Sequence, residues 1–164
     1  LRNVNMNLSD VRERVDFSEA KIPRAIFDNS NFAGATFAIA NLQAATLNHA
    51  ILTKANFYRA DLEGAKFLSA TLIEAFFLGA KLENVDFDGA DLSKATLRET
   101  NLKGANFQDA NLEGADLRGT SGLRLDSTRT LHARFPPVGN RLRAFLKHRL
   151  NFSRYENDPW SVLR

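Results

Sequence analysis

The chain contains no cysteine. Disulfides and thiol chemistry are therefore excluded, while the redox compartment stays open, with the cytoplasm slightly favoured. No apolar run approaches the ~18 residues of a membrane-spanning helix. The phosphate-cradling GxxxxGKS/T, the dinucleotide GxGxxG, the zinc-binding HExxH and the nucleophile-elbow GxSxG patterns are all missing. Three histidines, His49, His132 and His148, are scattered, so without thiolates a zinc site has no clustered ligands. No cofactor or metal is expected, and no enzyme class is indicated. The first residue is Leu1 rather than Met, which fits a processed or excised chain.

What is present is a repeat. Large apolar residues stand at every fifth position: Phe17, Ile22, Phe27, Phe32, Phe37, and onward without a break to Leu117. This makes 21 pentads from Val15 to Gly119. Two residues before each of these centres stands Ala, or one of the small substitutes Val15, Ser30, Val85 and Thr100. Chance does not hold such a register, so repeat architecture takes precedence over local propensity. A period of five suits neither standard element. In a helix each fifth residue drifts about 140°, and in a plain strand successive centres would alternate faces. A chain that turns a corner every five residues resolves both problems, with the small residue and the centre pointing inward. Sorted by every fourth pentad, phenylalanine dominates two opposite stacks of centres and aliphatics the other two. Such alternation fills a narrow interior, and a two-sided coil explains it as well as a four-sided one.

Stretches such as ANFYRADLEG (55–64) and ANLEGADLRG (110–119) follow an A(D/N)LXX pattern that resembles the pentapeptide-repeat family over residues 15–119. The resemblance implies an all-β fold: a right-handed quadrilateral β-helix with twenty residues per coil. Just over five coils follow, and at the spacing of neighbouring strands the rod is about 25 Å long. Residues 1–14 read as an irregular N-terminal coil or cap, since the pentad-like MNLSD is out of register by one residue. Residues 120–164 read as a basic, helical C-terminal cap or tail.

Charge divides the same way. Residues 15–119 carry 10 Lys+Arg and 14 Asp+Glu, whereas residues 120–164 carry 9 and 3. After the breaker RFPPVGN (134–140), NRLRAFLKHRL (140–150) reads as a helix with Leu142, Phe145, Leu146 and Leu150 on one face. Arg141, Arg143, Lys147 and Arg149 are its candidate contact residues, with His148 among them. A solvated cap leads the readings of this helix, followed by a dimerisation or partner helix. Direct membrane or nucleic-acid contact is not favoured, since one aromatic within the helix gives little for base stacking. DPW (158–160) reads as a cap and first helical residue, which implies a short terminal turn or a piece of a longer protein.

In a four-sided coil, Asn29, His49, Ser69, Gly89 and Asp109 share one outer edge. His49 and Ser69 would be neighbours, but Asp109 lies two coils beyond Ser69, too far to orient the imidazole, so no triad is read there. Asp61, Glu63, Asp86 and Asp88 read as solvated surface. The informative outward residues are apolar. Tyr58, Phe76 and Leu78 fall on one side in consecutive coils, Arg59 borders them, and Ile73 lies on the preceding side with Leu68 further back. Tyr58, Arg59, Phe76, Leu78 and Ile73 form the candidate partner-binding patch. The leading expectation is a non-enzymatic scaffold for an unidentified protein partner. The resemblance also implies a second role, since some family members protect type II topoisomerases by resembling duplex DNA. A topoisomerase is thus an alternative partner, though the repeat is only mildly acidic, short and free of loop insertions. A third reading is a structural module of a larger protein, and a dimer through the C-terminal tail is left open.

Overall fold

The computed structural model describes residues 15–124, and over them the chain winds as a coil of four sides. Each rung pairs in parallel with the rung twenty residues later. Asp16 pairs with Thr36, Thr36 with Asn56, Asn56 with Phe76, Phe76 with Thr96, and Thr96 with Asp116. The twenty-residue register selects four sides over two. Coils begin at Val15, Ala35, Ala55, Ala75 and Ala95, and Ala115 begins a sixth. Side one holds the centres Phe17, Phe37, Phe57, Phe77, Leu97 and Leu117, and sides two to four follow in chain order. The expected N-terminal cap (1–14) and helical C-terminal cap lie outside the described residues.

The pentad is explained by the fate of its five backbone N–H groups, each of which must find an acceptor. In the pentad around Phe57, the Asn56 N–H donates to the Ala35 carbonyl of the preceding coil (2.9 Å). The Phe57 and Arg59 N–H groups donate to the Phe76 and Leu78 carbonyls of the next coil (2.7 and 3.0 Å). At the corner, the Ala60 N–H closes a turn onto the Phe57 carbonyl (3.0 Å). The fifth N–H, that of Tyr58, points along the side and has no backbone acceptor. The Asn56 side chain supplies one, at 3.0 Å. The same local bond recurs from Asp16, Asn31, Asn41, Asp61, Asp86, Asp91, Asn101, Asn106, Asn111 and Asp116. Asn or Asp is preferred before the centre because a short side-chain oxygen there satisfies the donor that the coil cannot.

Inward, the corners and centres make the core. Phe57, Phe67, Leu62 and Leu72 are fully buried, as are Ala55 and Ala65. On side one the rings of Phe17, Phe37, Phe57 and Phe77 stack face to face at 4.9–5.0 Å. On side three, Phe67, Phe87 and Phe107 stack at 5.2 Å. The two stacks meet edge to face across the interior, as in Phe57 against Phe67 at 5.8 Å. Phenylalanine on opposite sides therefore fills the rod through its long axis, with geometries that aromatic rings favour.

Each corner needs a residue with positive φ two places after the centre. Glycine fills it at Gly64, Gly79, Gly89 and elsewhere. Many coils use other residues, including His49, Arg59 and Ser69. Ile39, with φ 61°, is the one β-branched residue among them.

Candidate functional site

Most backbone donors of side one are spent on neighbouring coils, so its outward side chains are what it offers for recognition. In coils two to four these side chains are mostly apolar. Tyr58 and Phe76 lie in successive coils with ring centroids 6.4 Å apart and planes tilted by 27°. Leu78 is half-buried beside them and Phe76 remains 37% exposed. The Arg59 guanidinium carbon lies 5.2 Å from the Tyr58 ring centre, close enough for cation–π attraction. The expected group of Tyr58, Arg59, Phe76 and Leu78 is thus one surface. Ile73 is half-buried on side four, around the corner from Phe76.

Ile39 extends this surface and escapes sequence inspection. It occupies the corner position of side one in coil two, one coil before Arg59, and is 54% exposed. Corner positions read as polar turn residues, and only the φ of 61° reveals its cost. A β-branched residue there costs about 1–2 kcal/mol relative to ordinary backbone. Phe76 also departs from the local rule. Like Ile26, Ile51 and Thr71 on other sides, it stands where Asn or Asp would accept the N–H two residues on, and among the described residues the Leu78 N–H has no acceptor. The other exposed large apolar residues are Ile26 and Leu68 on side three and Ile51 on side four.

Some charges elsewhere are paired with neighbours. Lys81 bonds Asp61 at 2.8 Å, and Arg118 bonds Asp116 at 2.6 Å. The Arg118 hydrogen bond holds the Asp116 carboxyl below the usual carboxylate range. Burial, then the charges of Asp86 and Asp109, push the Asp88 carboxyl up. Arg98 approaches Glu99 at 3.9 Å and Asp116 at 4.0 Å. Arg59, like Lys21, Arg24, Lys66, Lys94 and Lys103, has no carboxylate within 4.0 Å among the described residues.

The edge carrying His49, Ser69 and Asp109 is a corner of side three, each residue in the left-handed conformation. His49 and Ser69 are exposed, and among the described residues no hydrogen bond joins them. Among the described residues no cluster of His, Asp or Glu is arranged to hold a metal, and no helix is long and apolar enough to cross a membrane. The candidate tail residues Arg141, Arg143, Lys147 and Arg149 lie outside the described residues.

No curated protein matches the chain in sequence. Solved structures do resemble it. A trypsin-treated variant of QnrB1, a plasmid-mediated fluoroquinolone resistance protein, aligns with 17% identity over 85% of this chain and 74% of its own, at a TM-score of 0.53. HetL, involved in heterocyst differentiation regulation in the cyanobacterium Nostoc sp. strain PCC 7120, aligns with 22% identity over 74% and 70%, at 0.43. A pentapeptide repeat protein from the Arabidopsis thaliana thylakoid lumen aligns with 25% identity over 83% and 85%, at 0.35. The likeness to QnrB1 speaks for the fold alone. The family model for pentapeptide repeats matches residues 13–38, 40–79 and 80–119 in eight copies. With the unbroken pentad register and the four-sided coil that it builds, this match means that the chain belongs to the pentapeptide-repeat family.

Proposed function

We propose that the chain is a non-enzymatic scaffold that holds a protein partner on side one of its rod. The observation that carries this reading is the continuous apolar and aromatic surface of Ile39, Tyr58, Phe76 and Leu78, bordered by Arg59. Isolated exposed apolar residues are ordinary, whereas aromatic anchors grouped with an arginine are the usual composition of binding hot spots. The rod is filled by its own side chains, which leaves recognition to its outer surface.

The second reading, a mimic of duplex DNA directed at a type II topoisomerase, fares less well on charge. A duplex carries one charge per ~1.7 Å, or about 15 over the ~25 Å of this rod. The repeat region holds net −4, and its Lys and Arg residues are spread over all four sides. What is said of QnrB1 therefore has little support here beyond the shared fold.

The test is affinity capture from nuclease-treated native-source lysate. The intact chain is compared with Tyr58→Ala/Phe76→Ser and with a variant in which Arg141, Arg143, Lys147 and Arg149 are alanine. The double variant should lose the captured protein at unchanged melting temperature, and the tail variant should keep it. Loss from the tail variant alone would move function to the basic tail. Recovery of topoisomerase subunits would restore the mimic reading, and capture of nothing would favour a structural module.

A further inference from the structure

Building on the scaffold reading, we propose that the side-one surface receives an amphipathic helix of the partner, laid diagonally across three coils, with an acidic residue of that helix on Arg59.

The shape of the surface comes first. Ile39 lies at the corner leading to side two in coil two. Tyr58 lies mid-side in coil three, and Phe76 lies toward side four in coil four. The line between the two ends climbs two coil spacings, about 10 Å, and crosses about 10 Å of side. Its length of roughly 14 Å is about two and a half helical turns, and its width is that of one helix. Residues spaced i, i+4 and i+8, a rise of about 12 Å, would meet Ile39, Tyr58 with Leu78, and Phe76 in turn.

Backbone chemistry selects the helix over an extended segment. The coil-to-coil bonds that build side one leave it no ladder of donors and acceptors to offer. An extended segment pressed onto this apolar surface would lose its water without gaining backbone partners, whereas a helix brings its own.

Charge sets the remaining requirement. Arg59 lies over the Tyr58 ring, is exposed, and has no carboxylate within 4.0 Å among the described residues, so its guanidinium is free to take an acid. The chain's own segment 140–150 carries an apolar stripe but is basic where Arg59 calls for acid. Phe76 and Ile39 give two probes that separate binding from folding. Phe76→Asn restores the acceptor that the pentad prefers, and Ile39→Gly relieves the left-handed β-branched residue.

The experiment is a phage-display selection against the full chain from two libraries in parallel: one on a single-helix scaffold with randomised surface positions, the other of unconstrained linear peptides. The helical library is expected to yield binders with an apolar stripe and an Asp or Glu. Phe76→Asn, Ile39→Gly and Arg59→Glu should each weaken them at least tenfold, with the first two variants melting no lower than the parent. Changing the peptide acid to Lys should restore binding to Arg59→Glu. Binders from the linear library alone, still lost on Phe76→Asn, would overturn the helix while leaving the scaffold reading intact. No binders, or binders indifferent to all three variants, would overturn both. A peptide of residues 140–150 should not bind; binding that Phe76→Asn abolishes would make the chain's own tail the occupant and overturn the proposal.

Discussion

Replacing Phe57 with alanine tests how the rod is held together. Its ring is fully buried and stacked between Phe37 at 5.0 Å and Phe77 at 4.9 Å, with Phe67 edge-on at 5.8 Å. Truncating a buried phenylalanine costs about 3–5 kcal/mol, depending on how far the site collapses. Collapse is resisted here. The coils on either side are fixed by the bonds from Phe57 N–H to Phe76 C=O and from Phe37 N–H to Asn56 C=O, each 2.7 Å. The nearby corners, Ala55 and Ala60, are too small to fill the gap. The loss should therefore fall near the top of the range, about 5 kcal/mol, including the ring pairs at ~0.5–1.5 kcal/mol each. Phe17→Ala, at a half-buried ring with no described coil before it, should cost less. Urea unfolding followed by far-ultraviolet circular dichroism measures both. A Phe57→Ala loss below about 2 kcal/mol, or equal losses at the two positions, would refute the stacked, non-collapsing core.

Four further outcomes follow from particular residues. Ala60→Leu should destabilise by about 1–3 kcal/mol through overpacking of a fully buried corner, read as a drop in melting temperature; no change would count against the inward assignment. Ser30→Ala should stabilise by about 1 kcal/mol in urea unfolding, because the Ser30 hydroxyl is buried at a corner without a hydrogen-bond partner among the described residues. Ile39→Gly should leave stability unchanged or raise it by up to about 1 kcal/mol, the relief of left-handed strain being partly offset by glycine's backbone entropy. Asp88 has a folded-state carboxyl raised by burial and by Asp86 and Asp109, so its contribution to stability falls as pH rises through its titration. Asp88→Asn should accordingly gain a few tenths of a kcal/mol at pH 7, a gain absent at a pH low enough to protonate the parent carboxyl, as thermal melts at the two pH values would report.

The inward half of the molecule was legible in the sequence because burial imposes one residue type per position. The centres from Phe17 to Leu117 and the small corners between them could be read directly, and the opposed phenylalanine stacks followed. Four sides rather than two needed the pairing of Asp16 with Thr36 and its successors, since residue alternation suits both. The reason for Asn or Asp before 11 of the 21 centres was also hidden. It depends on which N–H the coil leaves without an acceptor, as for Tyr58 opposite Asn56. Outward, Tyr58, Phe76 and Leu78 stood out as apolar where polar residues were expected. Ile39 did not, because a corner residue's φ carries no mark in composition. The segment 140–150 has a helical stripe in sequence and lies outside the described residues.

The central claim is that side one, rather than another face or the tail, touches the partner. It is tested most directly by site-specific photo-crosslinking in native-source extract. A benzoylphenylalanine is placed at Tyr58 in one chain, at Asn48 on side three in a second, and at Phe145 in a third. The account predicts a discrete crosslinked protein from position 58 and none from position 48 or 145. A crosslink from position 48 or 145 with none from position 58 would contradict it.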